Sequence, residues 1–234
     1  MVVCIVLLAL GAICLTLFIL EKIKKYSVRA TIIKSVTSLL FISLAAYSFY
    51  KNGGHPFGAF AIPALALGLM GDIWLDFKYV YPNDTRIFTF AGFICFAIGH
   101  ILYITGIMVT LGYPQEWFSY LIPLALGLLS GVLILVLEKP LKYKYGEYKL
   151  ICFLYGTLLF TTMFTTLYFA IRSGFQLVPI NMLFAGALLF AVSDLILCGT
   201  YFGEGHEEPF DIASNAITYY AAQFLIAFSL FFLA

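Results

Sequence analysis

Two aspartates, Asp72 and Asp194, sit deep in apolar runs of membrane-spanning length. A carboxylate at that depth costs roughly 2.5–3.5 kcal/mol on insertion scales. Neutral residues would span the bilayer without that cost, so two such residues need a chemical reason. Carboxylates in this setting do acid–base work on a bound molecule, or they mark the path of a proton or cation.

The elements that hold them follow from composition. Of 234 residues, 63% are hydrophobic, 18% aromatic and 11% charged. A soluble domain carries about 45–50% apolar and about 25% charged residues. The pattern predicts an all-α polytopic membrane protein, a single domain over residues 1–234. Its eight helices are expected near 2–20, 30–50, 57–76, 87–110, 117–137, 148–171, 179–199 and 212–233. Turn signals separate them: Asn52-Gly53-Gly54, Tyr81-Pro82-Asn83-Asp84, Gly112-Tyr113-Pro114 and Gly203-Glu204-Gly205. Pro63, Pro123 and Pro179 are expected in first helical turns, where a missing N–H is tolerated. The first helix lacks a basic leader and is followed by a basic cluster, so it reads as a retained span. A net charge of +1 gives no nucleic-acid footprint.

Basic residues set the orientation. The odd-numbered connections hold Lys22, Lys24, Lys25, Arg29, Lys78, Arg86, Lys139, Lys142 and Lys144, whereas the even ones hold only Lys51 and Arg172. The odd connections are therefore expected in the cytoplasm, and both termini on the far side. The chain would be a multi-pass protein of a bacterial cell membrane, or of the endoplasmic reticulum in a eukaryote. In this topology Asp72 and Asp194 each lie about five residues, roughly 7 Å, from the cytoplasmic end of their helices. Lys34 lies about four residues into helix 2, in the same layer. It either snorkels to the interface or completes a Lys–Asp–Asp cluster, and the two carboxylates at its level favour the cluster.

Other polar residues are weighed the same way. His100 lies nearer the midplane, flanked by Gly92, Gly99 and Gly106, which permit close helix contact. It is either a packing histidine or one that points towards a cavity. Of Tyr219 and Tyr220, one is expected to be an interior hydrogen-bond donor while the other packs, with Gln223 one turn on. Thr157, Thr161 and Thr165 are expected to bond backbone carbonyls of their own helix. The five cysteines fall in apolar runs and read as packing residues. The loop Gly203-Glu204-Gly205-His206-Glu207-Glu208 lacks trustworthy ligand spacing and reads as a solvated acidic turn. No metal and no cofactor is expected. The frames around the aspartates, Leu67–Leu75 and Leu189–Leu197, share leucines at −5 and +3. Both helices are third in a set of four, which points to a 4+4 pseudo-repeat facing one cavity.

Several segments resemble the YhhN family of eight-helix membrane proteins, whose characterised members are lysoplasmalogenases. The matching stretches are Lys34 at the opening of helix 2, Gly68-Leu69-Met70-Gly71-Asp72-Ile73-Trp74-Leu75, and Gly92 through Gly99-His100-Ile101-Leu102-Tyr103. To these are added Gly186 through Ser193-Asp194, and Tyr219-Tyr220-Ala221-Ala222-Gln223-Phe224-Leu225-Ile226. Ser35 departs from the family, which has proline after the lysine. The resemblance implies hydrolysis of the vinyl ether bond of a lysoplasmalogen to a fatty aldehyde and a glycerophospho-base. It assigns Asp72 and Asp194 to catalysis, with Lys34, His100, Tyr103, Tyr220, Gln223 and Ser193 binding substrate. Two carboxylates in one apolar pocket do not both ionise easily, which suits an acid–base pair. The two should share a proton or a bridging water, with His100 and Gln223 lining the deeper end that receives the alkenyl chain.

The rival reading is an ion-coupled carrier of a small molecule or lipid; a scaffold with structural aspartates is a third. Carriers often show Gly/Pro-interrupted helices at matching places in two halves, and no such break is evident. The expected partners are a lysophospholipid substrate and the bilayer, without nucleic acid, and a homodimer is left open. Orientation is checked by single cysteines in a cysteine-free background. An impermeant thiol reagent added outside should label a cysteine at Asn52 and spare one at Lys144, and the reverse pattern overturns the assignment.

Overall fold

A computed structural model describes residues 1–24, 27–111, 116–204 and 208–233. It contains eight long helices: α1 Val2–Lys24, α2 Val28–Lys51, α3 Gly58–Val80, α4 Thr85–Thr110, α5 Trp117–Val136, α6 Lys149–Arg172, α7 Val178–Phe202 and α8 Pro209–Ser229. Each is long and apolar enough to cross a membrane, and no strand occurs among the described residues. The helices are those expected, but three run further at the basic end of the bundle: α1 to Lys24, α3 to Val80 and α7 to Phe202. Interfacial lysines and aromatics are compatible with helix, so polarity alone does not mark where the helix stops. The extension deepens the site. Asp72 and Asp194 each lie eight residues before the ends of α3 and α7, about 12 Å at 1.5 Å per residue.

Local signals account for most boundaries. Ser27 caps α2, its hydroxyl accepting from the Ala30 amide at 3.2 Å, a standard N-terminal stop. Gly53 and Gly54 take φ of +76° and +81°, which allows the sharp turn after α2. Pro82 opens a single 3-10 turn between α3 and α4. Pro179 lies in the first turn of α7 as expected, but Pro63 and Pro123 fall inside α3 and α5, in the second turn. So near the start, each removes a single backbone hydrogen bond, and both helices continue. The expected turn Gly112-Tyr113-Pro114, and Gly205 to Glu207 of the acidic turn, lie outside the described residues.

Consecutive helices pair as hairpins, α1 with α2, α3 with α4, α5 with α6 and α7 with α8. The hairpins are joined through α2 to α3 and α8, and through α6 to α4 and α7. The helices α1 and α5 turn large apolar side chains such as Ile13, Leu17, Leu129 and Leu133 outward. In a bilayer such a surface faces lipid tails.

Small residues set the close crossings. On α4, Gly92 meets Leu75, Gly99 the Ala64 carbonyl and Gly106 the Phe60 ring, so the glycine stripe seats α3. On α6, Thr161 bonds the Thr157 carbonyl at 2.7 Å as expected, but the Thr157 and Thr165 hydroxyls have no hydrogen-bond partner. The stripe receives α5 instead. A Cβ on Gly127 would stand 2.0 Å from Thr161 Oγ1, and one on Gly131 2.2 Å from Thr157 Oγ1. Gly127→Ala should therefore cost about 1–3 kcal/mol of stability, read as a lower Tm in detergent; an unchanged Tm would mean that α5 and α6 are not locked here.

Candidate functional site

The buried stripe of α2 repeats every three or four residues through Thr31, Lys34, Ser38 and Phe41. That spacing turns Lys34 into the bundle. Its Nζ lies 3.1 Å from Asp72 Oδ1 and 3.2 Å from Asp76 Oδ1. Lys34, Asp72 and Asp76 are 9%, 4% and 6% exposed. Snorkelling is therefore excluded: the ammonium is bracketed by two carboxylates one helical turn apart on α3. Asp76 escaped the sequence reading because helix 3 was ended there, which placed the residue at the interface. Its i, i+4 spacing from Asp72 was the available signal, since the two must share a helical face.

The second oxygen of Asp72 accepts from Tyr219 at 2.8 Å and from Ser38 at 3.4 Å. Ser38 also meets the Tyr220 hydroxyl at 3.2 Å, and Tyr220 donates to the Lys34 carbonyl at 3.0 Å. Both tyrosines are thus interior donors, where only one was expected, and each ties α8 to the lysine–aspartate cluster. Asp194 has a different partner. Tyr155, from α6, donates to its Oδ2. Beside it, buried Ser193 is held by Asn215 of α8, whose amide donates to the Ser193 carbonyl at 2.8 Å. Neither Tyr155 nor Asn215 was singled out in sequence.

Asp72 and Asp194 line one cavity, with Lys34, Tyr155, Ser193 and Tyr220 also in its wall. Its volume of about 50 Å³ leaves room for water between the carboxylates. A second cavity of about 360 Å³ lies between α5, α6 and α7, and Tyr155 and Asp194 form part of its wall too.

His100, Tyr103 and Gln223 are placed elsewhere. They line a separate space of about 10 Å³, room for a single water molecule and too small for an alkyl chain. His100 and Gln223 are thus placed apart from the 50 Å³ cavity, whereas they were expected to line the deeper end of the same site. His100 Nδ1 lies 3.0 Å from Thr162 Oγ1. His100 Nε2, the Tyr103 hydroxyl and Gln223 Oε1 have no hydrogen-bond partner. Gln223 Nε2 and the Tyr219 hydroxyl both stand against Gly68, so this space adjoins the tyrosine that donates to Asp72.

At the basic end, Lys144 pairs with Glu204 at 2.5 Å and Lys149 with Glu138 at 2.5 Å. The Lys149 ammonium holds the Glu138 carboxyl below the usual carboxylate range. These contacts tie the connection between α5 and α6 to its neighbours, while the first pair, fully exposed, adds little stability.

Eight membrane-spanning helices and a buried cavity among them, with one lysine-paired and one phenol-paired aspartate in its wall, define a polytopic membrane protein with an intramembrane acidic site. The chain belongs to the YhhN family, whose profile matches residues 29–230. That range holds Lys34, Asp72, Asp76, Tyr155, Asp194 and Tyr219, and leaves out the whole of α1. No curated protein and no solved structure gives a significant match.

The cluster's charge balance is directly testable. Lys34→Met removes the ammonium held between Asp72 and Asp76, which should cost on the order of 3–5 kcal/mol. Asp76→Asn keeps the Lys34–Asp72 pair and should cost far less. Thermal unfolding in detergent separates the two; equal losses would show that Asp76 matters to the fold as much as the lysine does.

Proposed function

We propose that this protein is an intramembrane hydrolase that cleaves the vinyl ether bond of lysoplasmalogens. The observation that carries the reading is the pairing of unlike carboxyls on one cavity: Asp72 beside a cation and Asp194 beside a phenol. Membership of a family that includes lysoplasmalogenases supports it. So does the course of α3 and α7, which run unbroken through both aspartates, where a carrier's binding site is typically built on discontinuous helices.

The chemistry balances on these residues. Vinyl ether cleavage begins with proton transfer to the β-carbon. In this reading Asp194 is the acid, because no ion pair holds it among the described residues. The C=C electron pair forms the new C–H bond, and the positive charge is shared between the α-carbon and the ether oxygen. Asp72, paired with Lys34, is the base. It takes a proton from a water in the shared cavity as the water oxygen bonds to the α-carbon. The hemiacetal then breaks its bond to the glycerol oxygen, which takes the proton from Asp72 and leaves as the alcohol, while the hemiacetal hydroxyl returns its proton to Asp194 as the C=O bond of the fatty aldehyde forms. Overall one water is added and both carboxyls recover their starting states. Tyr219 and Tyr155 orient the carboxyls. Tyr220 and Ser38 brace the lysine segment, and Ser193 fixes α7 against α8 beside the acid. His100, Tyr103 and Gln223 line the separate small space and, in this reading, do not hold the chain.

The basic end is read as the cytoplasmic one, which puts the site nearer that leaflet. Purified protein incubated with a lysoplasmalogen should release free aldehyde. Asp72→Asn and Asp194→Asn should each lower the rate by at least about 10²-fold, in the range of a lost general acid or base. The double variant should be little worse than either single, as expected of groups that act together. The rate should rise and fall with pH as the pair titrates. A well-folded Asp194→Asn protein with full activity would sink the mechanism.

A further inference from the structure

The cavity of about 360 Å³ between α5, α6 and α7 is a large opening beside crossings as tight as those at Gly127 and Gly131. Packed interiors leave few spaces larger than a water molecule, and an unfilled one forfeits contacts along its whole lining. Its wall is almost wholly apolar, with residues such as Ile134, Leu159 and Phe160. Among the polar residues of the wall, Tyr155, Tyr201 and Asp194 also face the 50 Å³ cavity, while Tyr143 and Tyr145 belong to the segment between α5 and α6. Leu141 and Leu195 belong to the same wall, yet are 49% and 51% exposed on the outside of the bundle. The cavity therefore reaches the surface between α7 and the segment that follows α5.

We propose that this cavity is the binding site for one unbranched alkyl chain, which enters sideways from the bilayer past Leu195 and Leu141 and seats its polar end at Asp194. The shape specifies the ligand. One long apolar arm has a place, and the adjoining polar space is too small for a second chain. A single-chain lipid fits, whereas a diacyl lipid leaves one tail without a seat. The site deepens the hydrolase reading and rests on it in one respect: a chain seated this way brings the carbon next to the chain, the one to be protonated, against Asp194. Binding itself needs no reaction.

The test uses the full chain in nanodiscs and an alkyl-ether lysophosphoethanolamine, which has no vinyl bond to cleave, carrying a diazirine at mid-chain. Photo-insertion should map by mass spectrometry to residues 134–160 and 195–202. Excess unlabelled alkyl-ether lysolipid should compete it away, and diacyl lipid should not. Cys198 lines the cavity and is half-buried, so Cys198→Phe fills it and should reduce saturable labelling about tenfold, the loss of roughly two buried methylenes. If that variant fails to fold, Leu195→Trp blocks the exposed portal and should slow labelling. Insertion confined to outward residues of α1 and α5, or insertion that excess ligand does not displace, overturns the chain site. Saturable labelling without any aldehyde release from a lysoplasmalogen would leave the chain site standing and reject the hydrolase. Aldehyde release without saturable labelling would do the opposite.

Discussion

The structure depends on one buried cation. Lys34 stands between Asp72 and Asp76, all three nearly shut off from the surroundings. Charges taken out of water must be compensated at close range, because the desolvation penalty is repaid only by good geometry and further hydrogen bonds. That requirement fixes α2 against α3. It also draws in α8, since Tyr219 satisfies the second oxygen of Asp72 and Tyr220 holds the lysine's own carbonyl. Three helices thus meet around charge, and apolar packing alone would not have chosen their register. The cluster sets two carboxyl groups against one amine, and Lys22 at the end of α1 lines the same cavity. The polar wall is therefore both a structural clamp and a poised site.

Much of this was legible in sequence, and the remainder was hidden for identifiable reasons. Helix number follows from runs of apolar residues, and the depth of Asp72, Asp194 and Lys34 follows from counting along those runs. The lysine was recognised as a partner because opposite charges in one layer of a membrane have few alternatives. Asp76 was lost to an error of four residues in one helix end, which converted a buried carboxylate into an interfacial one. Tyr155 and Asn215 were lost for a deeper reason. With 16 tyrosines in the chain, no pattern on α6 marks which phenol meets a carboxylate on α7; the crossing of the two helices decides it. The threonine stripe teaches the same lesson. Its spacing was evident, but its role as the seat of Gly127 and Gly131 belongs to a neighbouring helix.

The two aspartates also illuminate each other. Asp72 is on α3 and takes its partner, Lys34, from α2. Asp194 is on α7 and takes its partner, Tyr155, from α6. Lys34 and Tyr155 each lie six residues into their helices, and both aspartates lie eight residues before the ends of theirs. These are equivalent stations in the two sets of four helices, which supports the proposed internal duplication more strongly than the shared leucines do. At matching stations the two halves differ in one respect: a cation on one side and a neutral phenol on the other.

That difference is the kind that lets two chemically identical side chains do opposite work. A cation within hydrogen-bond distance stabilises a charged carboxylate, whereas a phenol stabilises it far less. The surrounding volumes reinforce the distinction. Asp72 faces only the small polar cavity, while Asp194 also forms part of the wall of the large apolar one. A molecule that is polar at one end and apolar at the other would therefore meet the two carboxyls in a fixed order, its chain side at Asp194 and its oxygens towards Asp72 and Lys34. On this proposal the sense of the reaction is set before any proton moves, by where an alkyl chain can lie.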